Sequence, residues 1–427
     1  MKLFPHQQDA LNRVEGRNRV AFFHDMGTGK TFTGSEKARQ LNARVNLVVC
    51  QKSKVQDWVD HMVMNYANDH CWMIYDLTNK KELEWFLKAL DDSNPSSICG
   101  VINYDLIWKR KQIKNLKDFT LILDESSLIQ NQGTKRTDFI LQLNPTNVIL
   151  LSGSPTGGKY ENLYTQIHLL GWDISEKVYN AHYVNWKKID VGGMIHKVVD
   201  KDDPYKNVER LKRKMRDHGC DFLKTEEIFD LPEQNFIQIN VPTTKEYKTF
   251  KNKRLVFVDG IEFVGDSLLA YRLYQRQLCT AYNPHKIQAF KDLLESTQDR
   301  IIVFYCFNCE LEKLKSICAE LNKPVSMING SVKDLTAYEQ ESNSVTLIQW
   351  QSGSMGLNLQ KANKTIYFSL TESAEMWMQA HKRTNRIGQE RPCFYYILMS
   401  ENSIEERILD CLERGVDFTN ELFEMGE

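Results

Sequence analysis

The run Val20-Ala-Phe-Phe23, followed at once by His24-Asp25-Met26-Gly27-Thr28-Gly29-Lys30-Thr31, constrains this chain more than any other stretch. Four apolar residues read as a short buried strand, the glycines as a tight turn, and Lys-Thr as the opening of a helix. A strand that feeds a helix through such a turn makes a phosphate cradle. Backbone N–H groups and the positive end of the helix dipole point at the same anion. Gly27, Thr28 and Gly29 would line that cradle. His24 stands where the usual eight-residue pattern has its first glycine.

A second stretch completes the chemistry. Phe119-Thr-Leu-Ile-Leu123 reads as a parallel strand, and it delivers Asp124 and Glu125 at its carboxyl end, where α/β folds place their sites. Lys30 would reach the β- and γ-phosphates, the Thr31 hydroxyl would bind Mg²⁺, and Asp124 would hold that ion from the other side. Glu125 is the residue to position or deprotonate an attacking water. The loop alone reads as a helix entry, and the acid pair alone as a solvated surface pair. Together they imply hydrolysis of a nucleoside triphosphate, with ATP and Mg²⁺ as the expected cofactors.

At 427 residues the chain is too long for one ordinary core, so two α/β domains are expected. Fifty-five basic residues against 56 acidic ones give a net charge of −1, so any anion-binding surface must be local. The candidates are the basic runs 108–117 and 211–216, whose plain reading is a solvated helix face. No run is long enough to span a membrane and no signal peptide is evident, so a cytoplasmic protein with no membrane partner is expected. The ten cysteines are scattered and read as reduced packing residues. Cys306 and Cys309 form the one close pair, without the second pair that a zinc or redox site needs.

Apolar runs recur at Asn46–Cys50, Ile98–Ile102, Leu121–Leu123 and Asn147–Leu151, alternating with amphipathic stretches. This pattern predicts a parallel sheet covered on both faces. Residues from about Trp172 to Cys220 are charged and irregular, with a hairpin expected to turn on Gly192-Gly193. A second hairpin, Val256–Val264, turns on Asp259-Gly260. From His285 the alternation returns, with strands predicted at Arg300–Tyr305, Val325–Ile328, Val345–Ile348, Lys364–Phe368 and Cys393–Leu398.

The second α/β unit has no P-loop. It offers Gln379-Ala-His-Lys-Arg383-Thr-Asn-Arg386-Ile-Gly-Gln389, in which two arginines three apart are expected on one helix face. With a nucleotide on the first domain they are candidate arginine fingers, each worth on the order of 10³ to 10⁵ in rate.

With these residues in view, the sequence resembles the superfamily 2 helicase-type motors, specifically the Swi/Snf-like ATPases. Leu3-Phe-Pro-His-Gln7 resembles the motif in which a glutamine reads adenine. Residues 25–31 and 124–131 resemble motifs I and II, and Leu47–Ser53 followed by Trp58 resembles motif Ia. Leu150–Thr156 with Glu161-Asn-Leu163 resembles motif III, which couples hydrolysis to domain movement. Leu223–Pro232 resembles the link out of the first lobe. Ile328–Ser331, Gly356-Leu-Asn358-Leu359 and Gln379–Gln389 resemble the second-lobe motifs, and Ser403–Ile408 the helix after them.

The resemblance implies two RecA-like lobes, each a parallel sheet with helices on both faces, and an ATP site in the cleft between them. Residues 1–231 would form the ATP-binding lobe, with the charged insertion at about 172–222. Residues 232–284 would be an inter-lobe linker with a hairpin, and 285–427 the helicase lobe. Gln7, Gly356 and Gln379 would join the nucleotide site. Lys52, Asn103, Ser331 and Asn358 would touch the nucleic-acid backbone. A compact bacterial or bacteriophage form is expected, since no flanking chromatin-reading domain accompanies the core.

Two departures stand out. The fourth residue of motif II, a His or Asp in relatives, is Ser127, and motif V carries Trp350, which suits a core position better than a base-stacking one. The expected function is an ATP-dependent translocase or helicase, acting as a monomer on DNA, with duplex favoured over single strand. An RNA-stimulated helicase and an ATP-gated DNA clamp or protein-displacing module are the alternatives. The hairpin at Asp259-Gly260 is expected to pack at the domain junction rather than to split strands.

Overall fold

Apolar strands buried on both faces build both halves of this protein. A computed structural model describes residues 3–68, 70–91, 96–156, 159–191, 194–200, 202–352, 358–386 and 388–415. The chain divides into two units, Met1–Phe229 and Asp230–Glu427.

In the first unit, β1 (Arg19–His24), β2 (Val45–Cys50), β3 (Met73–Asp76), β4 (Ile98–Asn103), β5 (Phe119–Asp124) and β6 (Asn147–Ser152) are parallel. A separate antiparallel ribbon, β7 (Trp186–Val191) and β8 (Met194–Val199), follows; its expected Gly192-Gly193 turn lies outside the described residues. Then β9 (Cys220–Leu223) returns to pair with β1, giving the order β3-β4-β2-β5-β6-β1-β9. Successive strand residues face opposite ways. Ala21, Leu47, Leu121 and Val148 enter one core, while Phe22, Val48, Ile122 and Ile149 enter the other. Each fully buried aliphatic side chain contributes about 1.5–3 kcal/mol.

Three helices of this unit frame the site. They are α1 (Pro5–Arg13), α2 (Lys30–Leu41) and α3 (Val55–Met62). Proline at the start of α1 suits a first turn that needs no N–H. In α3, Val55, Trp58 and Met62 repeat at helical spacing and are buried.

The second unit orders its strands β10-β18-β17-β13-β16-β14-β15. These are β10 (Gln234–Val241), β13 (Ile301–Tyr305), β14 (Val325–Ile328), β15 (Lys333–Asp334), β16 (Val345–Gln349), β17 (Lys364–Tyr367) and β18 (Cys393–Ser400). All neighbours are parallel except β15 on β14. Between β10 and β13 lies the hairpin β11 (Leu255–Val258) and β12 (Ile261–Val264). Asp259 and Gly260 have φ of 52° and 77°, the left-handed pair of a tight hairpin turn. Its Val256, Val258 and Phe263 pack on the core of this unit. The stretch read as a linker, 232–284, therefore lies in the second unit, and its first strand is an edge of that sheet.

Lys286 and Glu405 form a fully buried ion pair at 2.6 Å, and Ser400 N–H donates to the same carboxylate. It ties the helix Pro284–Glu295 to the helix Ile404–Glu413. The expected fold class is the one adopted, two α/β lobes each on a largely parallel seven-stranded sheet. Among the described residues no helix is long and apolar enough to cross a membrane.

Candidate active site

Three neighbouring parallel strands deliver the candidate site of the first unit. In the run β5-β6-β1, β1 ends in the glycine turn, β5 in Asp124-Glu125 and β6 in Ser152-Gly153. Their carboxyl ends share one edge, where such folds bind ligands. A side-chain carbon built on Gly153 would lie 3.5 Å from Lys30 Nζ, which puts the motif III segment beside the loop lysine.

Gly27 and Gly29 sit at φ of 83° and 76°, and Gly29 caps α2. These left-handed residues close the turn in a way a side chain would oppose. Gly29 has a second constraint: a Cβ there would stand 2.3 Å from Gln7 Nε2. The Gln7 amide donates to the carbonyls of Thr28 (3.3 Å) and Gly29 (3.2 Å), and His6 Nε2 lies 2.9 Å from Thr28 O. Gln7 therefore abuts the cradle itself. The Thr28 hydroxyl donates to Asp25 O at 2.8 Å. Lys30 Nζ donates to the carbonyls of His24 (2.9 Å) and Asp25 (3.1 Å), and Thr31 lies in the first turn of α2.

Beside the loop, Asp124 is partly buried, and that burial raises its carboxyl above the ordinary range against the pull of Trp58 and Lys30. Trp58 Nε1 donates to Asp124 Oδ2 at 2.8 Å, and Tyr104 OH donates to Asp124 O at 2.9 Å. Glu125 takes φ 52° and ψ 60°, a left-handed conformation that costs a non-glycine residue about 1–2 kcal/mol. The strain turns the chain sharply between the two acids and the short helix Ser126–Ile129.

A carboxylate destabilised by burial, facing the ammonium of Lys30 at the start of the helix that also carries Thr31, suits a hard cation. Among the described residues no cluster of three His, Cys, Asp or Glu side chains could hold a metal by itself. Mg²⁺ takes one or two protein ligands and completes its shell with phosphates and water. Thr31 and Asp124 fit the role.

Three features here were not evident in the sequence. Ser126 Oγ donates to Gln166 Oε1 at 2.7 Å, and Gln166 Nε2 donates to Pro155 O at 2.7 Å. Gln166, fully buried, thereby joins the acid-bearing segment to the Ser-Gly-Ser-Pro segment. Trp58, read only as a landmark, orients Asp124. Third, β9 and the residues after it hold the loop: Asp25 N–H donates to Leu223 O (2.9 Å) and Thr225 Oγ1 to Met26 O (3.2 Å). Ser127 is buried, and its hydroxyl has no hydrogen-bond partner among the described residues.

In the second unit, the expected arginine helix needs correction. The helix Ala374–His381 ends before both arginines, which lie on the turns that follow. In these turns Tyr395 OH donates to His381 O at 2.8 Å beside Asn385 N–H at 3.2 Å, and Leu359 N–H donates to Arg383 O at 3.3 Å. Gln389 Nε2 pins the turn to Gln360 O and Ala362 O. Arg383 is buried, and partial burial pushes the Arg386 guanidinium below its ordinary value. Gln379 lies on the helix and donates to Glu375 at 3.1 Å. Gly356 lies outside the described residues.

Lys52 and Asn103 follow or end the paired strands β2 and β4, Lys52 exposed and Asn103 buried. Ser331 and Asn358, both exposed, follow the paired strands β14 and β16. Trp350 is a core residue, its indole donating to Ser369 O at 2.8 Å. Burial pushes the thiols of Cys306 and Cys309 up to about 12 and about 11, so neither is a thiolate near neutrality. The 211–216 run lies on the helix Val208–Asp217, which buries Leu211 and Met215 and pairs Lys212 with Glu209.

Comparison with known families matches residues 6–283 to the SNF2-related domain and residues 285–388 to the helicase conserved C-terminal domain. The ISWI chromatin-remodeling complex ATPase of Saccharomyces cerevisiae is 22% identical over 96% of this chain and 39% of that protein. A SWI/SNF-related regulator of chromatin, subfamily A-like protein 1, from Xenopus laevis is 23% identical over 97% of this chain and 43% of that protein. An uncharacterized ATP-dependent helicase of Mycoplasma genitalium is 22% identical over 85% of this chain and 35% of that protein. The chain thus spans about two-fifths of the length of these relatives. The Sulfolobus solfataricus SWI2/SNF2 ATPase core, solved in complex with dsDNA, aligns over 97% of this chain and 91% of that one, with 18% identity and a TM-score of 0.44.

Proposed function

The chain belongs to the SNF2-related family and carries a helicase conserved C-terminal domain; it is an ATP hydrolase, and we propose that it couples hydrolysis to movement along duplex DNA. The observation that supports its hydrolytic part is the convergence of the glycine turn, the acid pair and the Ser152-Gly153 segment at three adjacent strand ends; its DNA part rests on the match of residues 6–283 to the SNF2-related domain.

The nucleotide's phosphates would lie against the backbone amides of Gly27–Thr31. Lys30 Nζ would exchange the carbonyls of His24 and Asp25 for β- and γ-phosphate oxygens. Mg²⁺, held by Thr31 and Asp124, would neutralise charge developing on the phosphates. Trp58 keeps the Asp124 carboxylate in place for that task, and Glu125 would take a proton from, or orient, the attacking water. Arg383 and Arg386 would supply positive charge at the γ-phosphate from the second unit, so that turnover depends on both units. Lys52, Asn103, Ser331 and Asn358 would grip the DNA backbone from the ends of strands. Such contacts carry no sequence information.

DNA affinity measured by fluorescence anisotropy tests the mode of contact. It should fall by about tenfold or more between about 50 and about 200 mM salt and vary little with sequence. A salt-independent affinity, or strong dependence on one sequence, would contradict it.

A further inference from the structure

The loop that cradles phosphate is braced at both ends by one helix, and the far brace reaches the loop's first residue through Arg13 and Asp221, which lie outside the nucleotide motifs. At one end of α1, His6 and Gln7 meet the carbonyls of Thr28 and Gly29. At the other, Arg13 donates to both oxygens of Asp221, Nε at 2.5 Å and Nη2 at 2.9 Å. Asp221 lies on β9, and its Oδ2 is 2.8 Å from Nε2 of His24, the residue standing at the usual first glycine of the loop. His24 O in turn accepts from Lys30 Nζ.

The charges in this chain of contacts are defined by its surroundings. His24 is fully buried, and its Nδ1 has no hydrogen-bond partner among the described residues. A proton there would be a buried donor without an acceptor, which costs free energy. Burial accordingly holds the imidazole below its ordinary pKa, and His24 at neutral pH carries its hydrogen on Nε2 and donates it to Asp221. Burial raises the Asp221 carboxyl, but the hydrogen bonds from His24 and Arg13 outweigh it and keep the group ionised. A glycine at position 24 would have no side chain to anchor.

We propose that Asp221 is a positioning residue for nucleotide binding: held by Arg13, it fixes His24, and with it the entry of the phosphate loop and the carbonyl on which Lys30 rests. Helix α1 then splints the loop from Thr28 back to His24, so phosphate affinity depends on a carboxylate distant in sequence from every nucleotide motif. The proposal rests on the ATP-hydrolase reading above and goes beyond it in assigning Arg13, His24 and Asp221.

The test uses the full chain, Mg²⁺, ATP and inorganic tripolyphosphate, a probe of the phosphate cradle that has no base. The wild-type protein must first hydrolyse ATP; failure at that step counts against the functional reading rather than against this brace. In Asp221→Asn, the KM for ATP and the inhibition constant of tripolyphosphate should rise together by about tenfold, with kcat within about twofold. Adding His24→Gln should produce little further change, since both act through one contact. Arg13→Gln, at a half-exposed side chain, should shift both constants in the same direction, and Arg13→Lys should restore part of the loss. If Asp221→Asn does not fold, the Arg13 pair decides alone. Unchanged tripolyphosphate inhibition in Arg13→Gln, or full additivity of Asp221→Asn with His24→Gln, would overturn the proposal.

Discussion

The indole of Trp58 donates a 2.8 Å hydrogen bond to Oδ2 of Asp124, joining the helix after β2 to the acid at the end of β5. The two residues are 66 positions apart, and Trp58 is almost wholly buried. A donor fixed in the core directs one oxygen of the carboxylate that we propose binds Mg²⁺. Groups of this kind, which orient a metal ligand without touching the metal, typically affect metal affinity by about 10–100-fold.

Trp58→Phe should therefore raise the Mg²⁺ concentration needed for half-maximal hydrolysis by about tenfold, with a smaller change in the saturating rate. A Mg²⁺ titration of ATPase activity at fixed ATP checks this. An unchanged midpoint would remove Trp58 from the site.

Gln166 connects Ser126 and Pro155 through two 2.7 Å hydrogen bonds. Gln166→Leu keeps the volume but leaves the buried Ser126 hydroxyl and the part-buried Pro155 carbonyl each short of a partner, at a cost of about 1–3 kcal/mol for the hydroxyl and less for the carbonyl. The expected result is a lower melting temperature together with a several-fold loss of kcat, while ATP KM moves little. A stability loss with unchanged kcat would make Gln166 a packing residue only.

Acid should weaken both units for a shared reason. Burial pushes the imidazoles of His61, in the first unit, and His381, in the second, down from 6.5 to about 4. The unfolded chain takes up protons at these sites below about pH 6.5, while the native chain takes them up only near pH 4. Stability is thus full above pH 6.5 and falls as pH drops toward 4, by about 3 kcal/mol for each histidine. Urea denaturation at pH 7 and at pH 4.5 should show the decline, and His61→Gln should flatten the part that belongs to the first unit. Equal pH dependence in wild type and variant would refute the assignment.

The parts of the fold that could be read from sequence are those encoded locally. Runs such as Asn147–Leu151 and Arg300–Tyr305 are apolar throughout because both faces of a parallel sheet are buried, and both form strands. The glycine turn and the acid pair are legible for a similar reason, since each follows its strand at once. β9 was not legible. It is four residues long, carries Asp221 at its second position, and pairs with a strand about 200 residues earlier. Nothing local distinguishes a carboxylate that meets His24 from one that meets water. Gln166 is hidden in the same way, a polar residue on the short helix Tyr164–Leu169 whose partners come from two other segments. The arginine segment misled because the spacing of Arg383 and Arg386 suits a helix, while the turn that carries them is pinned by Leu359 and by the carbonyls of Gln360 and Ala362, more than 20 residues earlier.

Steady-state ATP hydrolysis measured alone and with duplex DNA, single-stranded DNA and RNA tests the central claim most directly, with Glu125→Gln as the control. Hydrolysis stimulated most by duplex DNA, and abolished in Glu125→Gln while ATP binding persists, is the predicted result. Stimulation by RNA alone, or turnover indifferent to every nucleic acid, would contradict it.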